Sequence, residues 1–289
     1  MTETRPLILF TNDDGIASPG LWAMVNAFAD LGDCLIVAPR EQQSGTGRSL
    51  PITSEGRIYP QEVAEGAHYV AYAVDGTPAQ AVQHGILELS DVLPSLVVSG
   101  ANFGDNLGNG VTVSGTIGAA IEGASLGIPS LAVSQQTPKD LHLSYSPDVD
   151  FSAAAYFARY FGQWLIENHE RPDDVDLLKL DVPWGATPET PWKVTRLSRR
   201  RVYWPTRPER VSLSDVGRLG YHYDADPSKA EPDSDVYVLL HEKQVSVTPI
   251  SLDMTSRTDM FRFQQLLTGE KRYGREKRNG RVKAAKQHA

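Results

Sequence analysis

Short apolar runs alternate with helical patterns through the first half of the chain. The runs "LILFTN" (7–12), "CLIVAP" (34–39), "YVAYAV" (69–74), "SLVVSG" (95–100) and "SLAVSQ" (130–135) are apolar at consecutive positions. Between them, "LWAMVNAFADLG" (21–32), "PAQAVQHGILEL" (78–89) and "TIGAAIEGASLG" (116–127) repeat apolar residues at helical spacing. Strands apolar on both faces and separated by helices predict a mainly parallel sheet covered on both sides, a doubly wound, Rossmann-like, three-layer α/β fold. In such sheets the chemistry collects outside the carboxyl ends of the strands. Three loops therefore matter: 12–20, 40–50 and 100–116.

The pattern changes near residue 150. "FSAAAYFARYFGQWLIENH" (151–169) predicts an amphipathic helix, with Tyr156, Phe157, Tyr160, Phe161 and Trp164 as core or interface. Strand-like pieces follow at "VDLLKLDVP", "WKVTRLS", "SDVYVLL" and "VSVTPISLDM". Residues 202–234 between them are polar, Pro-rich and aperiodic, which points to an arm, an insertion or a binding loop. The expected layout is a core α/β region, 1–150, then a completing helix, strands and a smaller β-containing oligomerisation arm, 151–268. A basic tail, 269–289, ends the chain.

Charge adds one constraint. The net charge is −8, yet residues 271–289 hold eight Lys/Arg against one Glu, so the rest carries −8 less +7, or −15. That acidic balance disfavours a stable nucleic-acid partner, and the tail reads as a solvated segment. The single cysteine, Cys34, excludes an intrachain disulfide and a thiolate metal cluster. Without a basic start and apolar block at the N-terminus, or an apolar run near 18 residues, a cytoplasmic protein with no membrane span is expected.

The candidate chemistry sits in the three loops. Asp13 and Asp14 end the first apolar run, and Gly15 opens a turn that can bring both carboxylates towards one point. Unpaired they repel, and a hard divalent cation resolves the repulsion. The bland alternative is that one caps the next helix, but Ser18 before Pro19 is the better cap. The second loop, "PREQQSGTGRSL", places Ser44, Gly45, Thr46 and Gly47 where backbone N–H groups can meet an anion or a hydroxyl can meet a metal. The third, "VVSGANFGDNLGNGVTVSGTIGAAIEG", offers Asn102 and Asn106 among glycines, then Ser114, Gly115 and Thr116 leading into a helix. A helix N-terminus with hydroxyls suits phosphate. Together the loops supply oxygen donors only, appropriate for Mg2+ or Mn2+.

"TNDDG", "SG" after the second strand, "SGANFGDNLG", "VSGTIGAAIEGASLGIPSLAVS" and the late "VSVTPISLDMT", in this order and spacing, resemble the SurE (survival protein E) family of 5'/3'-nucleotidases. The resemblance is strong over 7–136 and looser over 176–255. It implies that Asp13, Asp14, Ser44 and Asn102 hold one divalent ion per subunit, with Asn12, Asn106, Ser114, Gly115 and Thr116 near the phosphate. It implies nucleoside 5'- and 3'-monophosphates as substrates, short polyphosphate for some members, and a homodimer or homotetramer built with a C-terminal arm. The chain departs from the family at "LKLDVP", where "LNVNVP" is usual, and at "GTGRSLP" in place of "GASNSLT", where Arg48 can alter the local charge.

The expected reaction is attack of an activated water on the phosphate, with Asp13 or Asp14 taking the proton. None of the seven histidines falls in the three loops, which argues against a phosphohistidine route, and His84 reads as structural. Two rival readings remain: a metal-dependent N-ribosyl hydrolase, which would release base and no phosphate, and a non-catalytic nucleotide or metal sensor. A covalent aspartyl phosphatase expects D-x-D, whereas these aspartates are adjacent.

Overall fold

The computed structural model describes residues 5–63, 68–142, 145–146, 148–168, 170–224 and 226–268. The expected tail, 269–289, lies outside them. The described residues fall into two units, divided between Leu252 and Asp253. The strands, all in the first unit, are β1 (Leu7–Thr11), β2 (Asp33–Pro39), β3 (Ile58–Pro60), β4 (Tyr69–Val74), β5 (Leu96–Phe103), β6 (Ser130–Gln135), β7 (Leu177–Val182), β8 (Trp192–Val194), β9 (Tyr203–Thr206), β10 (Gly220–Tyr223) and β11 (Val245–Ile250). Four helices cover the main sheet: α1 (Pro19–Phe28), α2 (Pro78–Leu87), α3 (Gly115–Ser125) and α4 (Ser152–Glu167).

The main sheet runs β3-β4-β2-β1-β5-β6-β7-β11-β8. From β4 to β7 all neighbours are parallel, while β3 and β11 pair antiparallel to β4 and β7. The apolar runs anticipated this, because a two-residue period sends alternate side chains to opposite covered faces. Ile8 and Phe10 pack with Met24 and Phe28 of α1 and Phe157 and Phe161 of α4. Leu9 turns the other way, to Val82 and Ile86 of α2 and Ala119 of α3. Each such large side chain contributes roughly 1.5–3 kcal/mol on burial. Gly162 permits the approach of α4 to α1, since a Cβ there would lie 2.7 Å from the Phe28 ring. Cys34 is buried in β2, and burial pushes its thiol up to about 11.

The chain builds outward from β1 through β2 to β4, then returns to place β5 on the other side of β1. The crevice of the sheet therefore opens between the carboxyl ends of β1 and β5.

One expectation is overturned and two take a definite form. In α4, Phe157, Phe161 and Leu165 are buried, whereas Tyr156, Tyr160 and Trp164 are exposed. One residue is a rotation of about 100° on a helix, enough to move a stripe from core to surface. "SDVYVLL" is not a strand: Asp235–Tyr237 is helical and Val238–Glu242 continues as a π-turn. Ser234 Oγ accepts the Tyr237 N–H at 3.3 Å, and Val236, Leu239 and Leu240 bury against Leu107 and Val202 at helical spacing. The 202–234 stretch is partly ordered as the antiparallel hairpin β9–β10. The base of this hairpin packs into the unit, while Val211, Leu213, Val216 and Leu219 at its tip are exposed.

In the second unit, Met260–Thr268 is a helix with no buried residue. Among the described residues no helix is long and apolar enough to cross a membrane.

Candidate functional site

β1 ends at Thr11 and the chain turns at once. Asn12 closes that turn with both polar atoms: Nδ2 donates to the Gly15 carbonyl and Oδ1 accepts the Gly15 N–H, each at 3.0 Å. Gly15 holds φ +99°, a conformation open to glycine. Asn12 thus shapes the loop, and its amide is already committed. Ser18 stands at the N-cap of α1 with Pro19 behind it, but its hydroxyl makes no cap bond and is buried without a partner among the described residues. The expected side-chain cap is therefore corrected to a cap by position and proline alone.

The turn buries both carboxylates. Asp13 Oδ1 accepts the Thr116 hydroxyl at 2.6 Å, and burial raises its pKa against the lowering effect of that bond and of the Gly115 and Thr116 backbone. The start of α3 therefore faces Asp13, where the positive end of the helix favours negative charge. Asp14 accepts the Phe103 N–H and the Gln42 side-chain amide, each at 3.1 Å. Burial first, and the Asp13 charge second, push it up to about 8. Among the described residues no ion pair reaches either group. Two neighbouring buried carboxylates thus lack a counter-charge.

Asn102 reaches the same crevice from β5. The pairing of β5 with β6 shifts register between Ser99 and Asn102, which re-aims the strand end. Its Nδ2 donates to the Gly104 carbonyl at 2.9 Å, leaving Oδ1 uncommitted among the described residues. Ser114 caps α3 by accepting the Ile117 N–H at 3.2 Å. Gly115 is required by proximity: a Cβ would lie 2.7 Å from Asp13 Cβ and 3.1 Å from Thr46 Oγ1.

The second loop is tied in by its backbone, the Gln43 N–H donating to the Asp13 carbonyl at 2.7 Å. Ser44 and Gly45 follow on an exposed turn, with the Ser44 hydroxyl making no hydrogen bond among the described residues. Arg48 does not add charge to the site. It pairs with buried Glu122 at 2.6 Å and stitches the loop to α3. Asn106 is likewise committed: Nδ2 donates to Ser134 Oγ at 2.8 Å, its N–H donates to Asp181 at 2.9 Å, and its carbonyl accepts from Lys179 at 3.1 Å.

Thus Asp13, Asp14, Gly115 and Thr116 meet, and Asn102 joins through its neighbour Phe103. Asn12 and Asn106 brace the loops instead. Sequence reasoning missed Gln42 on Asp14, and Tyr145, whose hydroxyl donates to the Asp14 carbonyl. "EQQSG" gave Gln42 no signature, since an amide acquires meaning here only from the carboxylate it meets. Among the described residues no group of three His, Cys, Asp or Glu could hold a metal, so any ion at the Asp pair would draw its remaining donors from neutral oxygens. The two carboxylates, the uncommitted Asn102 oxygen and the hydroxyl of Ser44, which follows the Gln43 N–H held by the Asp13 carbonyl, are the hard oxygen donors that a divalent cation takes.

A model of the family described as survival protein SurE matches residues 8–203. A Thermococcus gammatolerans protein named 5'-nucleotidase SurE is 41% identical over 269 residues, covering 91% of this chain and 96% of that one. A Methanosarcina acetivorans protein of the same name is 38% identical over 273 residues, covering 91% and 98%. The crystal structure of the SurE protein from Aquifex aeolicus superposes with a TM-score of 0.69 at 31% identity, covering 91% of this chain and all of that one.

Proposed function

The chain belongs to the survival protein SurE family, and on that premise we propose that it is a divalent-metal-dependent phosphomonoesterase acting on nucleoside 5'- and 3'-monophosphates and on short polyphosphate. The observation that carries this reading is the buried, uncompensated Asp13–Asp14 pair facing the start of α3 at the switch point of the sheet. Asp13, Asp14, Ser44 and Asn102 would hold one Mg2+ or Mn2+ per subunit. When bound, that ion supplies Lewis acidity to a phosphoryl oxygen and acidifies the attacking water.

The protein's own groups do the rest. The backbone N–H groups at Gly45 and Ser114, with the positive end of α3 behind them, stabilise negative charge on the phosphoryl oxygens, while the Gly115 and Thr116 backbone supports Asp13. Gln42 and the Phe103 N–H fix the Asp14 carboxylate, and the Thr116 hydroxyl fixes Asp13. Fixed donors and acceptors need no reorganisation during the reaction.

The test is a phosphate-release screen of the full chain with 5'- and 3'-monophosphates and tripolyphosphate, with Mg2+, Mn2+ or chelator. Release from monophosphates that chelator abolishes is the expected result. Free base without phosphate would establish the N-ribosyl hydrolase instead, and binding without any product would establish a sensor.

Assembly is part of the same proposal. The hairpin tip, 207–219, exposes Val211, Leu213, Val216 and Leu219 together, an apolar set that a homodimer or homotetramer would cover. Replacing the tip by a short turn is expected to lower the sedimentation coefficient while leaving the circular dichroism intact. An unchanged oligomer would remove the tip from the interface.

A further inference from the structure

A cavity of about 290 Å³ is walled by Trp184, Tyr203, Tyr221, Tyr223, Asp105 and Lys139. It lies within two side chains of Asp14. The Gln42 amide that donates to Asp14 also donates to the carbonyl of His142 at 3.3 Å, and His142 lines the cavity.

The phenolic tips of this wall are already committed. Tyr203 and Tyr223 each donate to the buried Asp105 carboxylate at 2.8 Å, and the Tyr221 hydroxyl meets His142 Nδ1 at 3.2 Å. Burial and the Asp105 charge push both Asp105-bound phenols up, so they remain protonated donors. What the tyrosines leave for a ligand is ring surface. Trp184 is 48% exposed, and among the described residues its indole stacks on no other ring.

Two polar groups keep capacity for a ligand. Lys139 sits 4.4 Å from the Tyr221 ring centroid, gives one of its three donors to the Tyr221 carbonyl at 3.2 Å, and forms no ion pair among the described residues. Thr137 Oγ1 is buried with no hydrogen-bond partner among the described residues. An aromatic wall with one cation and one hydroxyl matches a flat, polar heterocycle. A polyphosphate chain would want several cations, and an oligonucleotide would want a long basic groove with successive stacking platforms. The size and lining suit one nucleoside.

We propose that this cavity is the nucleoside pocket of the active centre, with the Trp184 indole stacking on the base and Lys139 and Thr137 meeting its polar edge. The assignment rests on the phosphomonoesterase reading and says which part of the substrate confers affinity. Base stacking on an aromatic side chain is worth about tenfold or more in affinity.

The test uses Trp184→Ala and Trp184→Phe in the full chain, with AMP and ribose 5-phosphate as substrates and equilibrium dialysis of AMP as a turnover-free readout. Trp184→Ala is expected to raise the KM for AMP about tenfold relative to that for ribose 5-phosphate, and to weaken AMP binding by a similar factor. Trp184→Phe, which keeps a ring, is expected to recover most of both. Hydrolysis of AMP with an unchanged KM ratio in Trp184→Ala would overturn the pocket and leave the hydrolase standing. AMP binding that depends on Trp184, without phosphate release, would overturn the hydrolase and uphold the pocket. If AMP neither binds nor reacts, both fall.

Discussion

Asp14→Asn is expected to lower metal-dependent phosphate release by about 10²–10³-fold, the scale seen when one charge-stabilising group is removed from a reacting centre. The same change is expected to stabilise the metal-free protein at pH 8. Asp14 is raised from 3.8 to about 8, so between those values the folded chain holds a proton that the unfolded chain has released. Its cost to folding is absent below pH 3.8, grows as pH rises, and is complete above about 8. At about 1.4 kcal/mol per pKa unit, that cost is several kcal/mol. Asparagine removes it, but with one oxygen in place of two it leaves either the Phe103 N–H or the Gln42 amide without an acceptor, a loss of roughly 1–3 kcal/mol. The electrostatic gain is the larger.

Thermal melts in chelator at pH 5 and pH 8, alongside phosphate release with Mg2+, measure both effects. Added Mg2+ is also expected to raise the wild-type melting temperature more at pH 8 than at pH 5, because the ion relieves a repulsion that exists only when the pair is ionised. Undiminished hydrolysis by Asp14→Asn would remove the Asp pair from the mechanism.

The second large effect is expected at Lys179, which is fully buried and pairs with Asp181 and, at 3.2 Å, with Asp235. These three groups hold the third loop by its backbone. Asp181 accepts the Asn106 N–H, Lys179 donates to the Asn106 carbonyl, and Asp235 accepts the Gly108 N–H at 2.9 Å. The cluster carries +1 and −2. Lys179→Met leaves −2 with no cation and is expected to cost about 3–5 kcal/mol, as when one partner of a buried pair is lost. Burial already raises Asp181 to about 6 with Lys179 present, so its charged form has little reserve.

Adding Asp181→Asn to Lys179→Met returns the cluster to −1, carried by Asp235, which keeps the Gly108, Ser198 and Val236 N–H groups. Most of the lost stability is expected to return. Urea unfolding of both single variants and the double closes the cycle, and additive losses would show that the charges do not act as a unit. The departure from the family's usual "LNVNVP" is therefore a paired substitution. Asp181 and its partner Lys179, two residues apart, stand on the same face of β7.

Legibility followed the range of the physics. Ile8, Leu9 and Phe10 could be read as a doubly covered strand because burial on two faces leaves a local pattern. "SDVYVLL" misled because a short apolar run fits period 2 and period 3.6 about equally, and burial of Val236, Leu239 and Leu240 against Leu107 chose between them. The Asp pair was legible as chemistry because adjacent carboxylates demand a reason wherever they are buried. Asn12 and Asn106 were legible as polar loop residues, but their actual partners, Gly15 and Ser134, belong to the folded arrangement.

By itself the sequence determined the strand and helix periods, the oxygen-only donor set, the placement of three loops at strand ends, and the family. Those are properties of residue type and spacing, which act over a few positions. Only the tertiary structure decided that β5 lies beside β1, so that the Phe103 N–H meets Asp14 across 89 positions, and that α3 points its N-terminus at Asp13. It also set Gln42 on Asp14 and gathered Trp184 and the tyrosines of the hairpin around one cavity. Such contacts depend on strand order and on desolvation, and both exist only once the sheet has closed around them.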